Sequence, residues 1–132
     1  MQNKSILIVE DEAGPRESLR MILKPFYSVY AAPDGEQALR VIQDQHIDVV
    51  TLDLNMPGLT GIEVLKEIKR MKPAMEVVII TALATMPNAQ QAIQYGASDF
   101  LSKPFHVSEV MTVIKKSLDR LDAKAANRAQ AG

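Results

Sequence analysis

The sequence predicts an α/β fold, a doubly wound parallel sheet of five strands with helices on both faces. Three observations predict it. Five short apolar runs, at residues 6–9, 28–32, 49–52, 77–80 and 99–102, are each followed by a stretch with helical periodicity. The runs at 6–9, 49–52 and 77–80 are almost continuously apolar rather than alternating, as strands covered on both faces are. The loops are short, so each helix must cross back over the sheet in the right-handed sense.

Each element has its own signals. Strand 1, Ile6-Leu7-Ile8-Val9, ends on Glu10-Asp11-Glu12, and Pro15 suits the first turn of the helix that follows. That helix shows one apolar face, Leu19, Ile22, Leu23 and Phe26, and Lys24-Pro25 marks its end. Strand 2, 28–32, is more polar, as an edge strand is. Asp34-Gly-Glu-Gln37 opens helix 2, carrying Ala38, Leu39 and Ile42, with an N-cap and its reciprocal partner. Strand 3, 49–52, runs straight into Asp53 and then a Pro57-Gly58 turn. Thr60-Gly-Ile-Glu63 is a second capping box, opening a helix that directs Ile62, Leu65 and Ile68 inward until Pro73. Strand 4 ends on Thr81. A loop, 82–86, precedes Pro87 and a helix running to about Tyr95, with Gly96 as its C′ residue. Strand 5 ends on Lys103-Pro104. The last helix starts near His106 to Ser108 and presents Val107, Val110, Met111, Ile114, Leu118 and Leu121 on one face. Residues 1–122 form the domain. Residues 123–132, Ala-rich and without apolar periodicity, read as a frayed helix end or a linker stub.

Composition narrows the function. A chain of 132 residues, 47% apolar and 23% charged, suffices for one globular domain with a core. A net charge of −1 without a basic stripe argues against this chain itself gripping nucleic acid. There is no Cys, so thiolate catalysis and Cys-based metal sites are excluded. No apolar run approaches the ~20 residues of a membrane span. Met1-Gln-Asn-Lys-Ser5 leads directly into strand 1 with no room for a signal peptide, which predicts a cytoplasmic location.

The chemistry lies at the strand ends. Glu10 and Asp11, Asp53, Thr81 and Lys103 follow strands 1, 3, 4 and 5, and a parallel sheet brings all four sites to the rim where open α/β sheets bind ligands. Each residue alone reads as an ordinary loop acid, strand-end hydroxyl or surface charge; their convergence carries the functional reading. Three carboxylates on one rim repel, so the site should take up a divalent cation. Mg²⁺ suits it, a hard ion that binds a few carboxylate oxygens and keeps several waters. Lys103 adds a point charge and Thr81 a hydroxyl for phosphoryl oxygens. Asp53 is then a nucleophile that forms an aspartyl phosphate.

The run Ile-Leu-Ile-Val-Glu10-Asp11-Glu, then Leu-Asp53-Leu-Asn-Met-Pro57-Gly58, Ile-Ile-Thr81-Ala82 and Gly96-Ala-Ser-Asp-Phe100-Leu-Ser-Lys103-Pro104-Phe105 resembles the receiver domain of bacterial two-component response regulators, similar to chemotaxis and nitrogen-regulation receivers. The match spans Ile6 to about Leu121. The resemblance implies a flavodoxin-like strand order, 2-1-3-4-5. It implies Asp53 as phosphoacceptor, with Mg²⁺ held by Asp11, by Glu10 through water, by Asp53 and by the Asn55 carbonyl. Thr81, Ala82 and Lys103 would meet the phosphoryl group, with Lys103–Pro104 a cis peptide, and Phe100 would swing inward as Thr81 moves. Asn55 and Leu83 would border the hydrolytic water and tune dephosphorylation. The phosphoryl donor would be a sensor histidine kinase or phosphotransfer protein. The face made by helix 4, strand 5 and helix 5 would be a partner or homodimer surface. Such a protein is a switch catalysing only its own phosphorylation and slow autodephosphorylation, not an enzyme with turnover. Glu10 stands where Asp is commoner, and Phe100 where Tyr is frequent.

Two other readings fit less well. A haloacid-dehalogenase-like phosphatase needs Asp-x-Asp, and the second acid is Asn55 here. A pseudo-receiver would lack Asp53, Thr81 or Lys103, and all three are present. His46 and His106 are isolated and read as surface residues.

Overall fold

A computed structural model describes the backbone of residues 3–131 and the side chains of residues 3–129. The elements run β1 (Ser5–Val9), α1 (Ala13–Leu23), β2 (Ser28–Ala32), α2 (Gly35–Asp44), β3 (Val49–Leu52), α3 (Gly61–Met71), β4 (Glu76–Thr81), α4 (Met86–Gln94), β5 (Asp99–Ser102) and α5 (Val107–Ala131). All four pairings are parallel, and the order is β2-β1-β3-β4-β5, as the resemblance implied.

Alternation along the strands feeds two cores. Leu7, Val9, Val50, Leu52, Val77 and Ile79 pack on one face beneath α2, α3 and α4. Ile6, Ile8, Val49, Val78 and Ile80 pack on the other beneath α1 and α5. The caps form at the expected residues. Asp34 accepts from the Gln37 amide at 2.9 Å and Thr60 from the Glu63 amide at 3.3 Å. The Gln37 side chain, however, returns to the Asp34 carboxylate rather than to the backbone. Gly96, at φ 100°, ends α4 in the left-handed region where a side chain would be strained.

Several helix faces differ from expectation by a fraction of a turn. Phe26 is 63% exposed: α1 ends at Leu23, the chain turns through Lys24, Pro25 and Phe26, and Tyr27 packs on the core instead. In α3, Val64 is buried together with Leu65 and Ile68, leaving Ile62 half-buried. In α5, Val107 lies in the first turn, short of the sheet, and is 59% exposed, whereas Val113 is buried beside Val110 and Ile114. The helix continues without a break through the stretch read as a tail, to Ala131.

What fixes the lower half of α5 is polar. Glu76, at the amino end of β4, is 2% exposed. Its Oε1 accepts from Arg120 Nε at 2.8 Å and its Oε2 from Lys124. Burial alone would raise the Glu76 carboxyl, but the bonds from Lys124, Arg120 and Ser98 outweigh it and hold the group below its usual range. A carboxyl with a lowered folded-state pKa contributes stability above its unfolded value, and that stability is lost as pH falls through the folded value. Glu76→Gln should therefore lose about 1.5–3 kcal/mol near pH 7, the worth of hydrogen bonds to a charged group, with the deficit shrinking as the buffer is acidified below the unfolded pKa. Urea unfolding between pH 3 and 7 checks this; a deficit independent of pH would contradict it.

Candidate functional site

The strand register assembles the site. Val9 pairs with Leu52, so Glu10 and Asp53 leave the sheet side by side. The Asp53 amide donates to the Val9 carbonyl at 3.2 Å. Thr81 pairs with Ser102, and the Lys103 amide donates to the Thr81 carbonyl at 3.0 Å. Gly61 allows α3 to begin directly against the loop that follows β3. A Cβ there would lie 2.4 Å from both the Asp53 carbonyl oxygen and Leu54 Cα.

Lys103 stands at the centre. Its Nζ donates to Asp53 Oδ2 at 2.9 Å and also to Glu10 Oε1. Glu10 is 1% exposed and Asp53 3%. The Lys103–Pro104 peptide is cis. The remaining oxygens take backbone donors: Asp53 Oδ1 from the Asn55 amide at 3.1 Å, and Glu10 Oε2 from the Glu12 amide at 3.0 Å. Burial raises the Asp53 carboxyl, but Lys103, the Asn55 amide and the Thr81 hydroxyl outweigh it and hold it below the usual range. For Glu10, burial prevails over Lys103 and the Glu12 amide, and its carboxyl is raised. Burial opposes the charge of Lys103 as well, but the two carboxylates overcome that and raise its pKa. The repulsion expected among the acids is thus met first by this ammonium.

Other sequence candidates fall around this centre. Thr81 is buried, and its Oγ1 accepts from the Leu83 amide at 3.1 Å. Ala82 and Asn55 are exposed, and Leu83 is 41% exposed at the rim. Phe100 is half-buried, packed against the core under α2, α3 and α4. Two residues were missed. Glu12 joins Glu10 and Asp11 in a group of carboxylate oxygens all within 4.8 Å of one another. Arg16, one helical turn on, donates to the carbonyls of Glu10 and Asp11. The only sequence signal for Arg16 was a cation four residues after an acid run. Asp11 Oδ1 is buried and has no hydrogen-bond partner among the described residues. A bare hard-oxygen donor beside further carboxylates fits Mg²⁺.

The site is thus a lysine-paired carboxylate buried at the carboxyl rim of a doubly wound parallel sheet, an arrangement suited to accepting a phosphoryl group. Comparison with known proteins agrees. Residues 6–115 match the profile described as the response regulator receiver domain. The chain is 36% identical over 119 residues to the sporulation initiation phosphotransferase F of Bacillus subtilis, covering 89% of this chain and 96% of that one. It is also 36% identical over 117 residues to the transcriptional regulatory protein ZraR of Escherichia coli K12, covering 88% of this chain but 26% of the regulator. The crystal structure of a CheY-like receiver domain protein from Methanospirillum hungatei JF-1 superposes with a TM-score of 0.89 at 26% identity, covering 93% of this chain and 99% of that one. The chain belongs to the response regulator receiver domain family, whose members are phosphoacceptor signalling switches.

Because Lys103 is the shared cation of two buried carboxylates, removing it strands both. Lys103→Met should lose about 3–5 kcal/mol at pH 7 in metal-free buffer, the cost of breaking a buried ion pair. The loss should shrink as the buffer is acidified, since buried carboxyls left without the ammonium take up protons more readily. Added Mg²⁺ should restore part of it by binding the folded form. Urea unfolding in EDTA and in Mg²⁺ measures these effects; an unchanged midpoint at pH 7 would show that Lys103 does not hold the acids.

Proposed function

We propose that this chain receives a phosphoryl group on Asp53 and relays the resulting change to a protein partner. The single observation that carries the proposal is the buried Asp53 carboxylate, kept ionised at the end of β3 with Lys103 Nζ 2.9 Å from its Oδ2. One Asp53 oxygen attacks phosphorus. The bond from phosphorus to the donor breaks, and the donor leaves with the electron pair. Lys103 then exchanges a carboxylate oxygen for a phosphoryl oxygen, and the Thr81 hydroxyl donates to another. Glu10, Asp11, Asp53 and the Asn55 carbonyl would hold Mg²⁺, which neutralises charge between acids and phosphoryl group. The donor is a sensor histidine kinase or phosphotransfer protein, consistent with a relative named as a phosphotransferase. We place the reaction in the cytoplasm, and the domain within residues 1–122, with the remainder of α5 as a tail.

The phosphoryl group adds ~−1.5 to −2 charge at neutral pH. As Thr81 turns toward it, the Thr81–Leu83 contact opens and Phe100 gains room to move inward. The surface of α4, β5 and α5 changes with it and is read by a partner or a second copy. Leu83 and Asn55 border the attacking water during decay. Asn55 can orient it, whereas the apolar Leu83 excludes it and lengthens the signal.

One time course tests acceptor and decay together. With acetyl phosphate and Mg²⁺, intact-mass spectra of the wild type should gain one phosphoryl group, and Asp53→Asn none. Phe100→Ala should label like the wild type. After the donor is removed, Leu83→Glu should lose the group about tenfold faster, equivalent to ~1.4 kcal/mol of barrier. Labelling that persists in Asp53→Asn would refute the acceptor, and equal decay rates would refute the role of Leu83.

A further inference from the structure

One side chain of α1 reaches back to the acidic segment between β1 and α1. Arg16 Nη1 donates to the Glu10 carbonyl at 3.0 Å and to the Asp11 carbonyl at 3.1 Å. The Arg16 amide donates to the Glu12 carbonyl at 3.1 Å. Three consecutive carbonyls, those of the three clustered acids, therefore accept from one residue of α1. Glu12 is the N-cap of this helix and makes no side-chain cap bond, so nothing of that kind fixes the segment. Among the described residues Arg16 makes no ion pair with a carboxylate.

That last point distinguishes the two cations. Lys103 bonds the carboxylates of Glu10 and Asp53 themselves and must yield an oxygen to any ligand. Arg16 takes only backbone oxygens. The Asp11 Oδ1 atom has no hydrogen-bond partner among the described residues. Guanidinium is suited to binding two carbonyls, a planar group with several fixed donors that keeps its charge at any working pH.

We propose that Arg16 is a positioning residue for the cation site: by gripping the carbonyls of Glu10 and Asp11 with its guanidinium it holds the clustered carboxylates converged and open to Mg²⁺. This rests on the reading of the acidic cluster as the Mg²⁺ site of a phosphoacceptor. Arg16→Met removes both side-chain bonds and the charge. Arg16→Lys keeps a charge on a flexible stem without the planar fork.

The test is calorimetric titration of Mg²⁺ into the folded wild type, Arg16→Met and Arg16→Lys, well below the melting temperature of each. Mg²⁺ affinity should fall about tenfold in Arg16→Met and by a smaller factor in Arg16→Lys. Labelling by acetyl phosphate should slow at limiting Mg²⁺ and recover to the wild-type rate at saturating Mg²⁺, which a merely stabilising role would not produce. If Arg16→Met does not fold, the affinity of Arg16→Lys decides. Affinities within twofold of the wild type in the folded variants would overturn the proposal. So would an Arg16→Lys affinity equal to the wild type's, because charge alone would then suffice. A wild type that binds Mg²⁺ but takes no phosphoryl group would instead overturn the phosphoacceptor reading, leaving Arg16 to be judged on affinity alone.

Discussion

The site depends on one ammonium shared by two buried carboxylates. Lys103 comes from the end of β5, Glu10 from β1 and Asp53 from β3. Burying two acids without a partner would be costly, and each would take a proton instead. With Lys103 between them, the Asp53 carboxyl is held below its usual range, while Glu10 is the acid that burial pushes toward protonation. The same bond ties three strands together at the rim, so the site is held by an ion pair that the chemistry itself must rearrange. On the proposed reading, a phosphoryl group on Asp53 would present new oxygens to Lys103, and its charge would alter the balance among β1, β3 and β5.

Much of this could be read from residue order because parallel α/β folds translate strand ends into a single rim. Asp53 and Lys103 directly follow β3 and β5, Thr81 is the last residue of β4, and local pattern suffices to place them. The capping residues Asp34 and Thr60 were readable for the same reason, their partners lying three positions away. What escaped were interactions set by tertiary geometry. The sharing of Lys103 with Glu10 joins residues 93 apart, and no local pattern announces it. Arg16 looked like an ordinary helix cation because its role lies in the carbonyls it reaches. Phe26 and Val107 had the right spacing for their faces but fall where the helix ends or has not yet met the sheet.

The two poles of the sheet are built differently. At the carboxyl end, one Asp11 oxygen has no partner among the described residues, and the loop at Ala82 and Leu83 is exposed. At the amino end, Glu76 is fully paired by Arg120 and Lys124, and Lys4 is joined to Asp122. Strand β4 runs from one pole to the other, from Glu76 to Thr81. The helix α5 is thereby anchored at the pole where nothing needs to move. On the proposed reading, a rearrangement at Thr81 would fall to the upper loops and to the half-buried Phe100.

The central claim is that Lys103 keeps Asp53 ionised while Glu10 bears the cost of burial. Its most direct test is a ¹³C NMR titration of the side-chain carboxyls in the metal-free wild type. The account predicts that Asp53 titrates below the ordinary Asp value of 3.8 and that Glu10 titrates above the ordinary Glu value of 4.5. An Asp53 carboxyl that takes up its proton above 3.8 would contradict it.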